Sequence, residues 1–87
     1  LNQSTGEFSL TDGSRTVSGV MRGKYGLGVG SYIFNDTDGV FYATDIAVDG
    51  VAATTAEGYV KINNSYKMEI DATINGVKYT GTSTNGL

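Results

Sequence analysis

The chain has 87 residues, a length that accommodates one small domain with a single hydrophobic core. Hydrophobic residues make up 39% of it and charged residues 17%, a composition that favours a folded domain over a disordered chain. Its six basic residues are scattered singly and nine are acidic, which argues against a nucleic-acid partner because phosphate binding requires clustered positive charge. No apolar stretch is long enough for a membrane-spanning helix, so we expect no membrane span.

Five residue pairs typical of tight turns divide the chain into short segments. They are Asp12-Gly13, Asp38-Gly39, Asp49-Gly50, Asn63-Asn64 and Asn75-Gly76. Because turn signals recur about every 10 to 14 residues with no helical pattern between them, the sequence predicts a succession of short strands. The strands are predicted near residues 6–10, 15–22, 29–35, 40–48, 51–56, 58–62, 66–74 and 77–83.

The turn at Asp49-Gly50 predicts a hairpin in which Val48 faces Val51. Side chains alternate between the two faces of a strand, so every second residue before Val48 should share its side. The predicted inner-face residues of this strand are Val40, Tyr42, Ile46 and Val48, with Thr44 as a polar exception.

Residues 66–74 show the clearest period-two alternation in the chain, which predicts a half-buried strand. Its apolar side carries Tyr66, Met68, Ile70, Ala72 and Ile74. Asn-Gly follows at once and is the strongest short hairpin signal, because both turn residues adopt positive φ. The resulting register pairs Ile74 with Val77, Ala72 with Tyr79 and Ile70 with Gly81, so that Tyr66 and Tyr79 are predicted to point inward.

Together these elements predict an all-β fold. Short antiparallel strands without helices must close on themselves or stack as two sheets, since a lone small sheet would expose an apolar face. We expect residues 1–87 to form a single domain, an antiparallel meander that closes into a barrel or barrel-like sandwich of seven to eight short strands.

The residue types needed for common catalytic sites are missing. Without His and Cys, neither a Ser-His-Asp triad nor a Cys-His pair can form. Glu69 and Asp71 project from one strand face about 7 Å apart, near the separation of glycosidase carboxylates. The neighbouring Lys67 and Lys78 favour a solvated outer face instead, so no catalytic residues and no enzymatic activity are predicted.

The segment Asp36-Thr37-Asp38-Gly39 has the spacing of part of a calcium-binding loop. The positions before and after it lack the remaining ligands of that loop, and an ordinary Asp-Gly turn accounts for the pattern. We therefore expect neither a metal site nor a cofactor.

Five glycines crowd into residues 19–30, at positions that match no phosphate-binding motif: Gly19, Gly23, Gly26, Gly28 and Gly30. They are typical of a strand that bends at a barrel corner, with Gly26, Gly28 and Gly30 on one face covered by a neighbouring aromatic ring. The alternative is a mobile flap, or a place where a ligand approaches the backbone closely.

Aromatic residues supply the candidate contact sites. Consecutive large apolar residues at 32–34 and 41–42 predict strands that are apolar on both faces and either lie centrally or lend one face to a partner or ligand. Tyrosine combines an apolar ring with a polar tip, which suits a protein or glycan contact. With Tyr42, Tyr66 and Tyr79 predicted to face inward, the best contact candidates are Tyr25, Tyr32 and Tyr59.

The stretch from Gly58 to Gly86 contains a strand, a turn, a Tyr-led alternating strand, an Asn-Gly turn and a closing Tyr-x-Gly strand. This order resembles the C-terminal strands of small calycin-like all-β domains in exported lipoproteins of gut anaerobes. The resemblance covers about a third of the chain. It implies a calycin-like barrel and a periplasmic or cell-surface location, and it supplies no catalytic residues.

These observations favour a noncatalytic module of an exported or cell-surface protein that binds a protein or glycan partner. Two alternatives stay open: a small β-barrel that holds an apolar ligand, and a structural or assembly subunit that pairs through a strand edge. The sequence leaves the oligomeric state undetermined.

Overall fold

The computed structural model describes residues 1–12, 14–23, 28–34 and 41–83, with the side chains of Asp12 and Phe41 excepted. Every regular element in these ranges is a strand, which confirms the predicted all-β class. The strands are β1 (Glu7–Asp12), β2 (Arg15–Gly23), β3 (Gly30–Phe34), β4 (Phe41–Val48), β5 (Val51–Ala52), β6 (Ala56–Ile62), β7 (Met68–Ile74) and β8 (Val77–Thr82). All lie close to the predicted positions, although β5 has only two residues.

The strands form one sheet in the order β1-β2-β4-β3-β6-β7-β8, with β5 paired to β4. The sheet curls into a nearly closed barrel in which β1 comes to lie beside β8. Where these two ends of the sheet meet, Arg15 Nη1 on β2 donates a hydrogen bond of 3.0 Å to the Tyr79 hydroxyl on β8. That hydrogen bond raises the pKa of Arg15 above its usual value.

The predicted meander is wrong at the centre of the sheet. β2 pairs with β4 rather than with β3, and β3 lies between β4 and β6, parallel to β4. With nine and eight residues, β2 and β4 form a long antiparallel ladder, whereas β3 has five residues and overlaps β4 only at Ile33 and Phe34. The predicted turn at Asp38-Gly39 lies outside the described residues.

The hairpins at Asp49-Gly50 and Asn75-Gly76 both form with the predicted register. Ile74 pairs with Val77 across Asn75-Gly76, and Val48 pairs with Val51 across the turn at residues 49–50. The first turn residue has a φ of 51° in both hairpins, and the glycines that follow have φ values of 80° and 82°. Two successive positive φ angles match the right-handed twist of the flanking strands, which is why Asn-Gly and Asp-Gly are favoured there.

Because β4 contains a bulge, the prediction of which of its residues face inward is partly wrong. Val20 pairs with Thr44 and Ser18 with Ala47, so that Asp45 and Ile46 both lie opposite one residue of β2. Asp45 has a φ of 57°, as expected for the extra residue of a bulge. The alternation shifts by one position there, and Tyr42 and Thr44 lie on the outer face while Ile46 stays in the core.

The predicted inward position of Tyr66 is also wrong. It lies in the turn before β7 with a φ of 56° and is 60% exposed, whereas Tyr79 is buried as predicted. Asn63 Oδ1 accepts hydrogen bonds from the backbone N–H groups of Ser65 and Lys67. These hydrogen bonds stabilise the turn, and β7 begins only at Met68.

All seven long strands contribute to the hydrophobic core. In the described part of the chain, the buried apolar residues are Phe8, Leu10, Val17, Met21, Tyr32, Phe34, Ala43, Ile46, Val60, Ile62, Met68, Ile70, Ala72, Ile74 and Tyr79. Packing is tight at Gly19, where an added Cβ would lie 2.8 Å from Ile46 and 2.9 Å from the Phe8 ring. The side chains of these strands therefore fill the barrel around that point.

Candidate functional site

One row of outward-facing residues crosses six strands. Residues paired directly across strands point to the same side of the sheet, so the strand register identifies the members of the row. We call it the outer row, and it consists of Arg22 on β2, Tyr42 on β4, Ile33 on β3, Tyr59 on β6, Asp71 on β7 and Thr80 on β8.

The centre of the outer row is apolar. Ile33 is 43% exposed and lies between the half-buried rings of Tyr42 and Tyr59. Among the described residues, neither of these tyrosine hydroxyls has a hydrogen-bond partner. A ring with its polar tip free can contact an apolar surface and a hydrogen-bonding group at once.

Beside Tyr59 the surface forms an open depression of about 240 Å³. The residues that line it come from β6, β7 and β8 and are Tyr59, Glu69, Ile70, Asp71, Thr80, Gly81 and Thr82. An aromatic ring, carboxylates and threonine side chains thus surround a space open to solvent.

Both carboxylates at this depression are held in place. Asn63 Nδ2 donates a hydrogen bond of 2.9 Å to Glu69 Oε1, and Lys78 Nζ lies 2.6 Å from Asp71 Oδ1. Such exposed contacts add little to the stability of the fold. Each carboxylate can still accept further hydrogen bonds, because its two oxygens accept several in all. The arrangement can therefore bind hydroxyl or amide donors.

Gly58 sets the close contact between β6 and β7 on which Tyr59 depends. Its φ is 110°, a conformation that L side chains rarely adopt, and an added Cβ would collide with the backbone oxygen of Asp71. Glycine at this position lets β6 approach β7 and places Tyr59 directly opposite Asp71.

The three predicted contact residues have different positions. Tyr59 is part of the outer row, and Tyr25 lies outside the described residues. Tyr32 is fully buried, and its hydroxyl bonds to the backbone of Gly28, accepting from the N–H at 2.8 Å and donating to the carbonyl at 3.0 Å. The predicted surface position of Tyr32 is therefore wrong, because its side of β3 faces the core.

Ile33 and Tyr42, which form the apolar centre of the row together with Tyr59, were missed as contact candidates. The run of large apolar residues at 32–34 did indicate a strand with apolar side chains on both faces, and Ile33 is the one that faces outward. Tyr42 was predicted to face inward, and this prediction is wrong because the bulge at Asp45 reverses the alternation on which it depended.

The described residues contain no cluster of acidic residues that could hold a metal ion, and the calcium-like segment at 36–39 lies outside them. They also contain no helix that could cross a membrane. Comparisons of the chain with protein-family models, with curated proteins and with solved structures found no match.

Proposed function

We propose that this chain is a noncatalytic binding module that contacts a partner through the outer row and the depression beside it. The observation that carries the proposal is the exposed apolar centre of the row, Ile33 between Tyr42 and Tyr59. Large apolar side chains grouped on an exposed strand face and flanked by polar residues are typical of contact surfaces.

The proposed location is outside the cytoplasm, as part of an exported or cell-surface protein. Support comes from the resemblance of residues 58–86 to strands of calycin-like domains in exported lipoproteins.

An apolar ligand inside the barrel is supported less well. Such a ligand needs interior space, and buried side chains from all seven long strands occupy the interior. Even the addition of one methyl group at Gly19 would bring it too close to Phe8 and Ile46. The geometry favours the outer face over the interior as the place of contact.

Pairing through a strand edge is the remaining alternative. β1 and β8 are the terminal strands of the sheet, but they lie beside each other in the same molecule. Each edge therefore partly covers the other, which leaves less backbone open to a second chain than two separate edges would.

The test is a selection of binders from a displayed random-peptide library and from a glycan array, made with the wild-type domain and repeated with the variant Tyr59→Ala. We expect the hits to lose binding with this variant, because the ring at the centre of the contact is removed. Ile33→Ser should weaken the same hits.

The matched control is Tyr66→Ala, which removes an exposed tyrosine in the turn before β7 that belongs neither to the outer row nor to the lining of the depression. The selected peptides and glycans should bind this variant as well as they bind the wild-type domain. Binders that ignore the Tyr59 and Ile33 substitutions but respond to changes at another surface would show that the outer row is not the contact site.

A further inference from the structure

We infer that the partner of the outer row is a neutral, hydroxyl-rich glycan, bound across the strands with one sugar on Tyr59 and the next over the depression. This inference rests on the proposed function and specifies the class of its ligand. Three features of the surface carry it: its charge, its spacing and the size of its apolar centre.

The two carboxylates that line the depression each have a lysine nearby, and Glu57, two residues before Tyr59, is the nearest carboxylate on the same face of β6 without one in the described part of the chain. Asp71 is paired with Lys78, and Glu69 lies opposite Lys61 across the strands. At the other end of the row, Arg22 is paired with Asp45 at 3.4 Å. A surface without a cluster of one sign offers no electrostatic attraction to a polyanion or a polycation, and it suits a neutral partner.

The spacing of the groups matches sugar units. Neighbouring strands lie about 4.8 Å apart, so Tyr59, Asp71 and Thr80 on β6, β7 and β8 follow one another at roughly the length of one pyranose ring. A sugar can place its C–H face on the tyrosine ring, and the next can donate hydroxyl hydrogen bonds to the carboxylates. Hydrogen bonds to ionised acceptors are stronger than those between neutral groups.

The apolar centre is small for a protein interface. Stable protein interfaces bury about 800 Å² on each partner around a well-packed apolar core. Ile33 is the one aliphatic side chain of the outer row, and the two rings beside it are half-buried. A narrow aromatic strip bordered by hydrogen-bonding groups favours a glycan over a folded protein.

The experiment is an amide NMR titration of the isotope-labelled domain with cellohexaose, xylohexaose and mannohexaose, and with charged hyaluronan and chitosan oligosaccharides for comparison. We expect saturable shifts at Tyr59, Asp71 and Thr80 with at least one neutral oligosaccharide. The variant Tyr59→Ala should raise the dissociation constant about tenfold or more, whereas Tyr66→Ala should leave it unchanged.

The outcomes separate this inference from the proposed function. If none of the neutral oligosaccharides binds while library-selected peptides bind and are lost in Tyr59→Ala, the glycan inference is overturned and the contact surface stands. Stronger binding of a charged oligosaccharide would also overturn it. If glycans bind with affinity unchanged in Tyr59→Ala, the outer row itself is the wrong site, and the proposed function fails with the inference.

Discussion

At the scale of single residues, Tyr32 shows how one side chain can serve structure although its type suggests recognition. Its ring is fully buried, and its hydroxyl satisfies both backbone polar groups of Gly28, four residues earlier. A buried tyrosine requires a partner for its hydroxyl, and this pair of hydrogen bonds supplies it while anchoring the entry to β3.

The variant Tyr32→Phe should lower the free energy of unfolding by about 1–2 kcal/mol, because it leaves the Gly28 backbone groups without their partner. Urea denaturation measures the difference. Tyr66→Phe removes a hydroxyl from a 60% exposed ring and should change stability by less than about 0.5 kcal/mol. Equal effects of the two substitutions would contradict the anchoring role.

At the scale of the elements, the hairpin of β7 and β8 is held by more than its own turn. Asn75 Oδ1 accepts hydrogen bonds from the Thr54 backbone N–H at 2.9 Å, the Thr54 hydroxyl at 2.8 Å and the Thr55 N–H at 3.2 Å. The Asn75 N–H in turn donates to the Thr55 carbonyl. One side chain thus joins the hairpin turn to the segment between β5 and β6.

Three substitutions at Asn75 should separate its two roles. Asn75→Ala loses both the acceptor and the tolerance of positive φ, and should destabilise by about 2–3 kcal/mol. Asn75→Gly keeps the turn geometry and should cost about 1–2 kcal/mol, while Asn75→Asp keeps the acceptor and should stay within about 0.5 kcal/mol of wild type. Thermal unfolding gives the ranking, and a Gly variant as stable as wild type would show that the hydrogen bonds contribute nothing.

The sequence predicts such hairpins well because their information is local. The Asn-Gly and Asp-Gly turns determine the register of adjacent strands, and all three predicted pairs of the last hairpin are observed, including Ala72 with Tyr79. The bulge at Asp45 was not predictable in the same way. It arises from how β4 pairs with β2, where Val20 lies opposite Thr44 and Ser18 opposite Ala47, and it places Tyr42 in the outer row instead of on the predicted inner face.

At the scale of the whole molecule, the function depends on whether the barrel is filled or hollow. The described core consists of apolar side chains from all seven long strands, and no described side-chain polar atom is buried without a partner. A barrel of this size can be just wide enough for its own side chains. Buried side chains on every long strand and tight packing at Gly19 leave little room for a ligand in the described interior, which supports the proposed contact at the outer face.

A matched pair of substitutions tests the filled interior. Ile70→Ala on β7 should lower the free energy of unfolding by about 2–5 kcal/mol, because it leaves a cavity among packed neighbours. Ile33→Ala on the outer row removes the same atoms from a 43% exposed side chain and should have an effect under about 1 kcal/mol. Chemical denaturation measures both. A loss below about 1 kcal/mol at Ile70 would indicate an empty interior and favour the apolar-ligand alternative.

The sequence by itself determined the all-β class, the positions of the strands and the registers of the two Xaa-Gly hairpins, because turn chemistry and side-chain alternation act over a few residues. Only the tertiary structure decided that β3 lies between β4 and β6, and therefore that Tyr42, Ile33 and Tyr59 stand side by side. Pairing between distant strands depends on how the whole barrel closes and packs its core. A surface assembled from six strands is for that reason visible in the fold and not in any one segment of the chain.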